Sequence, residues 1–233
     1  MESNKKSLNI KTVILAVDLA LALLIWILDG VYIRYGAFSV KIVTSLLFAV
    51  MGGVNLVYLI LTKHKDFNFP SIMVAGLVFA MLGDVILEIH FIAGAVLFAI
   101  GHVLFFVSYC FLRKYTFVDF LCGAFIAFLS VLFIVFAPIF DFSGDIAMEA
   151  VCIVYAIVIS LMVGKAICNF AVNSTWLTFI IMIGSLLFFF SDLMLLLNVF
   201  SSVEKYVGAL CLSTYYPAEC LLAFSVFLSR KQN

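Results

Sequence analysis

Gly184-Ser185-Leu186-Leu187-Phe188-Phe189-Phe190-Ser191-Asp192-Leu193-Met194-Leu195 is the stretch that decides the architecture. It lies in an apolar run over residues 175–199 whose one charged side chain is Asp192. Such a run is long enough to cross hydrocarbon as a helix, which takes about 20 residues. A carboxylate inside it is costly, by about 2.5–3.5 kcal/mol on insertion scales. The same arrangement stands earlier in the chain, as Gly76-Leu77-Val78-Phe79-Ala80-Met81-Leu82-Gly83-Asp84-Val85-Ile86-Leu87. In both, a glycine is followed seven residues on by a small residue, and then by aspartate. Two carboxylates in matched settings point to a site.

The rest of the chain is built of similar runs. Of its 233 residues 67% are hydrophobic and only 11% charged, and the mean hydropathy is +1.29. A soluble domain could not hide that much apolar surface. Eight spans are expected, over roughly 12–33, 40–62, 70–89, 91–112, 118–137, 147–168, 175–199 and 205–228. They do not alternate as barrel strands would. The expected fold is therefore an all-α integral membrane protein, one transmembrane domain over 1–233, multi-pass in the cell membrane. The first span is read as a retained helix and not a leader. Zero net charge argues against a nucleic-acid partner.

Basic residues give an orientation. One side carries Lys5, Lys6, Lys11, Lys63, Lys65, Arg113, Lys114, Lys165, Arg230 and Lys231, and the other only Arg34, Lys41 and Lys205. The positive-inside rule then puts both termini in the cytoplasm. The aspartate match implies two parallel four-helix repeats, 12–112 and 118–228. They align Gly94-Ala95 with Gly208-Ala209, His102 with Tyr216 and Lys41 with Glu149.

Six of eight polar candidates inside the spans fall in one layer. Asp84 and Asp192 lie at about equal depth, Lys41 opens the second span, and His102, Tyr215, Tyr216 and Glu219 sit near mid-depth or above, with Tyr155 a further candidate to line the site. Asp84 and Glu88 share a helix face, as do Tyr215 and Glu219. Asp18 and Asp29 are nearer helix ends and are expected to be solvated, and Glu88 to reach the interface. Glycines such as Gly76 and Gly83 read as helix contacts, and the six cysteines as small buried hydrophobes. Pro217 lies inside the last span and is expected to kink it. There is no H-E-x-x-H, no Cys/His cluster and no G-x-S-x-G. No His-rich metal centre and no cofactor are implied, and a carboxylate-bound Mg²⁺ or Ca²⁺ stays open.

Gly83-Asp84-x-x-Leu87, then Phe91-x-x-Gly94 with Phe98 and Gly101-His102, then Tyr155, Phe190-Ser191-Asp192 and Thr214-Tyr215-Tyr216-x-Ala218 together resemble the YhhN-like family of lysoplasmalogenases. Lys41 resembles the lysine that opens that family's second span. Phe105 and Phe106, Glu219 and Ile42 depart from the family pattern, where tyrosine, glutamine and proline are usual. The resemblance implies a hydrolase for the vinyl-ether bond of a lysophospholipid drawn from the membrane lipids. A vinyl ether is opened by a proton donor beside an anion, without nucleophile or metal. A carboxyl out of water holds its proton more firmly, and a second carboxylate can steady the cation, as in paired-carboxylate glycosidases. Asp84 and Asp192 are the expected catalytic pair, with Lys41, His102, Tyr155, Tyr215, Tyr216 and Glu219 binding or orienting substrate. A small proton-coupled transporter or lipid-binding membrane protein is the alternative.

Overall fold

The computed structural model describes residues 2–142, 144–203 and 206–230, with side chains from residue 10 onward. Eight helices follow one another: α1 (Glu2–Tyr35), α2 (Phe38–Leu61), α3 (Asn68–Leu87), α4 (Phe91–Leu112), α5 (Phe117–Phe136), α6 (Ile146–Val172), α7 (Trp176–Phe200) and α8 (Tyr206–Leu228). Each contains a segment long and apolar enough to cross a membrane. Lys205 and Lys231, and the side chains of Lys5 and Lys6, which entered the orientation argument, lie outside the described residues.

Local chemistry sets the breaks between helices. Gly36 takes a φ of +64° and its amide closes on the carbonyl of Tyr32 at 2.8 Å, a glycine helix stop. His90 caps α4 by accepting from the amide of Ala93. Asp119 closes a capping box with Thr116 at the start of α5, and Thr178 does the same with Thr175 at α7. α8 runs unbroken through Pro217.

Seven helices close into a ring in the order α1, α2, α3, α4, α6, α7, α8, with α8 also packed on α2 and α3. The most extensive pairings are α3 with α4 and α7 with α8. α5 stands outside the ring, and its backbone approaches α6 alone. Small residues set the closest crossings. A Cβ on Gly94 would stand 2.5 Å from the Cα of Leu87, and one on Gly164 would stand 2.5 Å from the Cα of Gly123. Membrane helices gain from such approach because no hydrophobic force drives them together in lipid.

At the α4–α5 connection a buried ionic group adds to this. Asp119 of α5 accepts from the ammonium of Lys165 of α6 at 3.0 Å and from Arg113. Lys165 is fully buried and also reaches the carbonyl of Lys114 at 3.2 Å. It therefore fastens α5 to α6 and does not face solvent.

Asp18 and Asp29 correct the expectation drawn from their position along α1. They are 3% and 2% exposed, because with Ile25 they form the one stripe of α1 that meets α2 and α8. Asn55 of α2 donates to Asp18 at 3.1 Å and to the carbonyl of Ala223 of α8 at 3.2 Å. One amide thus links three helices. Distance from a helix end measured depth, whereas burial depended on which face of α1 meets its neighbours.

Gly164→Leu should drive α5 off α6, since the added side chain meets backbone. A loss of about 1–3 kcal/mol is expected from overpacking, read as a lower thermal unfolding midpoint in detergent. An unchanged midpoint would mean that this crossing does not hold α5.

Candidate active site

Asp84 points from α3 into the space between α2, α3 and α8, where it is 4% exposed. A buried carboxylate needs both charge compensation and hydrogen-bond donors. Lys41 of α2 supplies the charge, with Nζ 3.1 Å from Oδ1. Ser45, one turn on from Lys41, lies with its hydroxyl 2.5 Å from Oδ2, and Tyr216 of α8 donates to the same oxygen at 3.0 Å. Lys41 is 4% exposed and so does not snorkel. Its ammonium also reaches Glu88 at 2.7 Å, and Tyr32 of α1 donates to that same Glu88 oxygen at 2.7 Å. Glu88 is half-exposed yet belongs to this network.

Asp192 has different neighbours. The hydroxyl of Tyr155, from α6, donates to its Oδ2 at 2.6 Å. His102 of α4 places Nε2 2.8 Å from that hydroxyl and 3.3 Å from the carboxylate. Phe188 packs edge-on to the imidazole at 4.6 Å between ring centres, which holds the ring in place. Asp84 thus has a lysine and hydroxyls around it, and Asp192 a phenol and an imidazole.

Tyr215 stands between the two groups. Its ring packs edge-to-face on Phe98 and Phe188, at 5.8 and 5.2 Å, and its hydroxyl lies 3.4 Å from the carbonyl of Ala80. Glu219, one turn along α8, is fully buried and lines neither of the cavities described next.

Two cavities meet at this layer. A polar one of about 190 Å³ is lined by Tyr32, Lys41, Asp84, Glu88, Asp192 and Asn198 among others. An apolar one of about 300 Å³ runs between α4, α5, α6 and α7 and reaches Tyr155 and Asp192. Leu87, Phe98, Asp192 and Leu195 line both. Asp192 therefore stands at the junction, and Asp84 faces the same polar space. An elongated molecule with one polar end and one apolar end fits this pair of cavities. Among the described residues no three His, Cys, Asp or Glu side chains converge on a point where a metal could be held.

Sequence reasoning passed over Ser45, Tyr32 and Asn198. Ser45 had a signal, since it follows Lys41 by four residues and so shares its helix face. Tyr32 and Asn198 had none, being ordinary residues near helix ends.

The sequence model of the YhhN family matches residues 36–226. No curated protein and no solved structure is similar enough to the chain to match it.

Lys41→Met would strip Asp84 of its compensating charge. A loss of about 3–5 kcal/mol is expected from breaking a buried pair on one side. Adding Asp84→Asn should restore part of it, as measured by thermal unfolding of the single and double variants. Strictly additive losses would show that the two groups are not coupled.

Proposed function

The chain belongs to the YhhN family, and from that membership and the site together we propose that it is a lysoplasmalogenase-like hydrolase of the membrane. The substrate is a lysophospholipid with a vinyl-ether chain. The products are a fatty aldehyde and a glycerophospho-headgroup such as glycerophosphoethanolamine or glycerophosphocholine. The carrying observation is that two carboxylates inside the spans line one polar cavity, and that one of them, Asp192, also lines the apolar cavity beside it.

The surroundings of the two acids support a division of roles. Asp84, held by an ammonium and two hydroxyls, acts as the standing anion. Asp192 has one oxygen engaged by Tyr155 and His102, which leaves Oδ1 to meet the alkene, and acts as the proton donor. The proton passes from Asp192 to the outer alkene carbon, and the π electrons form the new C–H bond. The ether carbon becomes an oxocarbenium-like cation, stabilised by the carboxylates around it. Water adds to that carbon and gives its proton back to a carboxylate. In the hemiacetal the bond to the glycerol oxygen then breaks. The oxygen leaves with a proton, and the carbon becomes the aldehyde. The acid is regenerated and one water is consumed.

Tyr155 and His102 position Asp192, and Tyr216 and Ser45 position Asp84. Lys41 keeps the charge of Asp84 compensated in a site with little water. The headgroup lies in the polar cavity, near Tyr32, Glu88 and Asn198.

Aldehyde release from a lysoplasmalogen by purified protein tests the reading. Asp192→Asn and Asp84→Asn should each lower turnover by about 10²–10⁴-fold, the range of a positioned acid or base, while the protein remains folded. Full turnover in both variants would rule out this acid pair. No aldehyde from folded wild type, with gradient-driven uptake of a solute instead, would identify a carrier.

A further inference from the structure

α5 packs against a single neighbouring helix. It is held near its start by Gly123 against Gly164 and by Asp119 against Lys165, and its backbone approaches no other helix than α6. Beyond Gly123, Ile126, Leu129, Ser130, Phe133 and Ile134 recur at helical spacing on one face. That face forms a wall of the apolar cavity. Leu129 and Phe133 line the cavity and are at the same time 50% and 39% exposed. A side chain that does both stands in the rim of an opening. The opening faces the surroundings of an apolar helix, which in a membrane are lipid chains.

The lining identifies the occupant. Apart from Tyr155 and Asp192 the one other polar side chain is Ser130, whose hydroxyl is spent on the carbonyl of Ile126 at 2.9 Å. Nothing along the wall calls for a polar partner. The polar groups stand where this cavity joins the polar one, so an occupant is apolar along its length and polar at that end. A volume of about 300 Å³ is at the small end for ligand cavities, which suits one chain.

We infer that the cavity between α4, α5, α6 and α7 is the slot for the substrate's hydrocarbon chain, reached sideways from the bilayer along α5, with Ala156 controlling how far the chain is admitted. The identity of the bond at the head of the chain rests on the hydrolase reading; the slot does not. Ala156 is 8% exposed and lines the slot one residue from Tyr155. A larger side chain there occupies the space of the chain, and it replaces a methyl group that itself makes no hydrogen bond to either aspartate.

The probe is an alkyl-ether lysophospholipid, which has no vinyl bond to cleave, carrying a diazirine at its chain end. It is added to the full chain in phosphatidylcholine nanodiscs, irradiated, and its adducts are mapped by mass spectrometry. Adducts should concentrate on residues 126–134 of α5 and on the facing residues of α6 and α7, and Ala156→Phe should remove most of them. Adducts spread evenly over lipid-facing helices, α1 included, would overturn the slot. In parallel, Ala156→Phe should lower kcat/KM for a long-chain lysoplasmalogen by about tenfold or more, while a short-chain vinyl-ether analogue stays within about twofold. Equal losses on both would overturn the role of Ala156. If Ala156→Phe does not fold, the wild-type adduct map decides. Adducts in the slot without aldehyde release would sink the hydrolase reading and leave the slot standing. Aldehyde with scattered adducts would do the reverse.

Discussion

An ammonium and a carboxylate buried together, Lys41 and Asp84, constrain everything around them. Neither could stand alone in a medium of low dielectric constant, so α2 and α3 must meet at this height. The pair alone leaves acceptor sites on Asp84, and these are filled by Ser45 of α2 and Tyr216 of α8. One acidic group thus determines how three helices are rotated about their axes. The second acid, Asp192, is met by Tyr155 and His102, which draws α4 and α6 to α7. The matched aspartates of the sequence end in unmatched surroundings. That difference is what the proposed division into anion and proton donor requires.

Between the two groups lies an aromatic partition of Phe98, Phe188 and Tyr215, packed edge to face at centroid distances of 5.2 to 6.0 Å. Such contacts favour fixed geometry over free rotation of the rings. The partition holds the acids apart in the packed region, and the polar cavity alone brings them to a common space.

The helices and the two acids were legible in the sequence because each produces a local signal. A span shows as a long apolar run, and a carboxylate inside such a run stands out by itself. Lys41, His102 and Tyr216 could be proposed from depth, and they do converge on the acids. Depth says nothing about rotation, and there the reading failed. Asp18 and Asp29 looked solvated because they are nearer helix ends, yet the stripe of α1 that carries them faces α2 and α8. Lys165 looked like one more basic residue of the cytoplasmic side and proved to be fully buried beside Asp119. Cavities left no trace in the sequence at all, since they arise where side chains of several helices fail to meet.

The attachment of α5 on one side only has a mechanical consequence. Every other wall of the apolar cavity is backed by protein, so its position is set by covalent and packing forces within the fold. The α5 wall is backed by lipid. Its resting distance from α7 is therefore a balance between the grip of α6 and the lateral pressure of neighbouring acyl chains. A stiffer or more crowded bilayer presses this wall inward, and a looser one lets it relax. The width of the cavity is in that sense a property shared between the protein and the membrane that holds it.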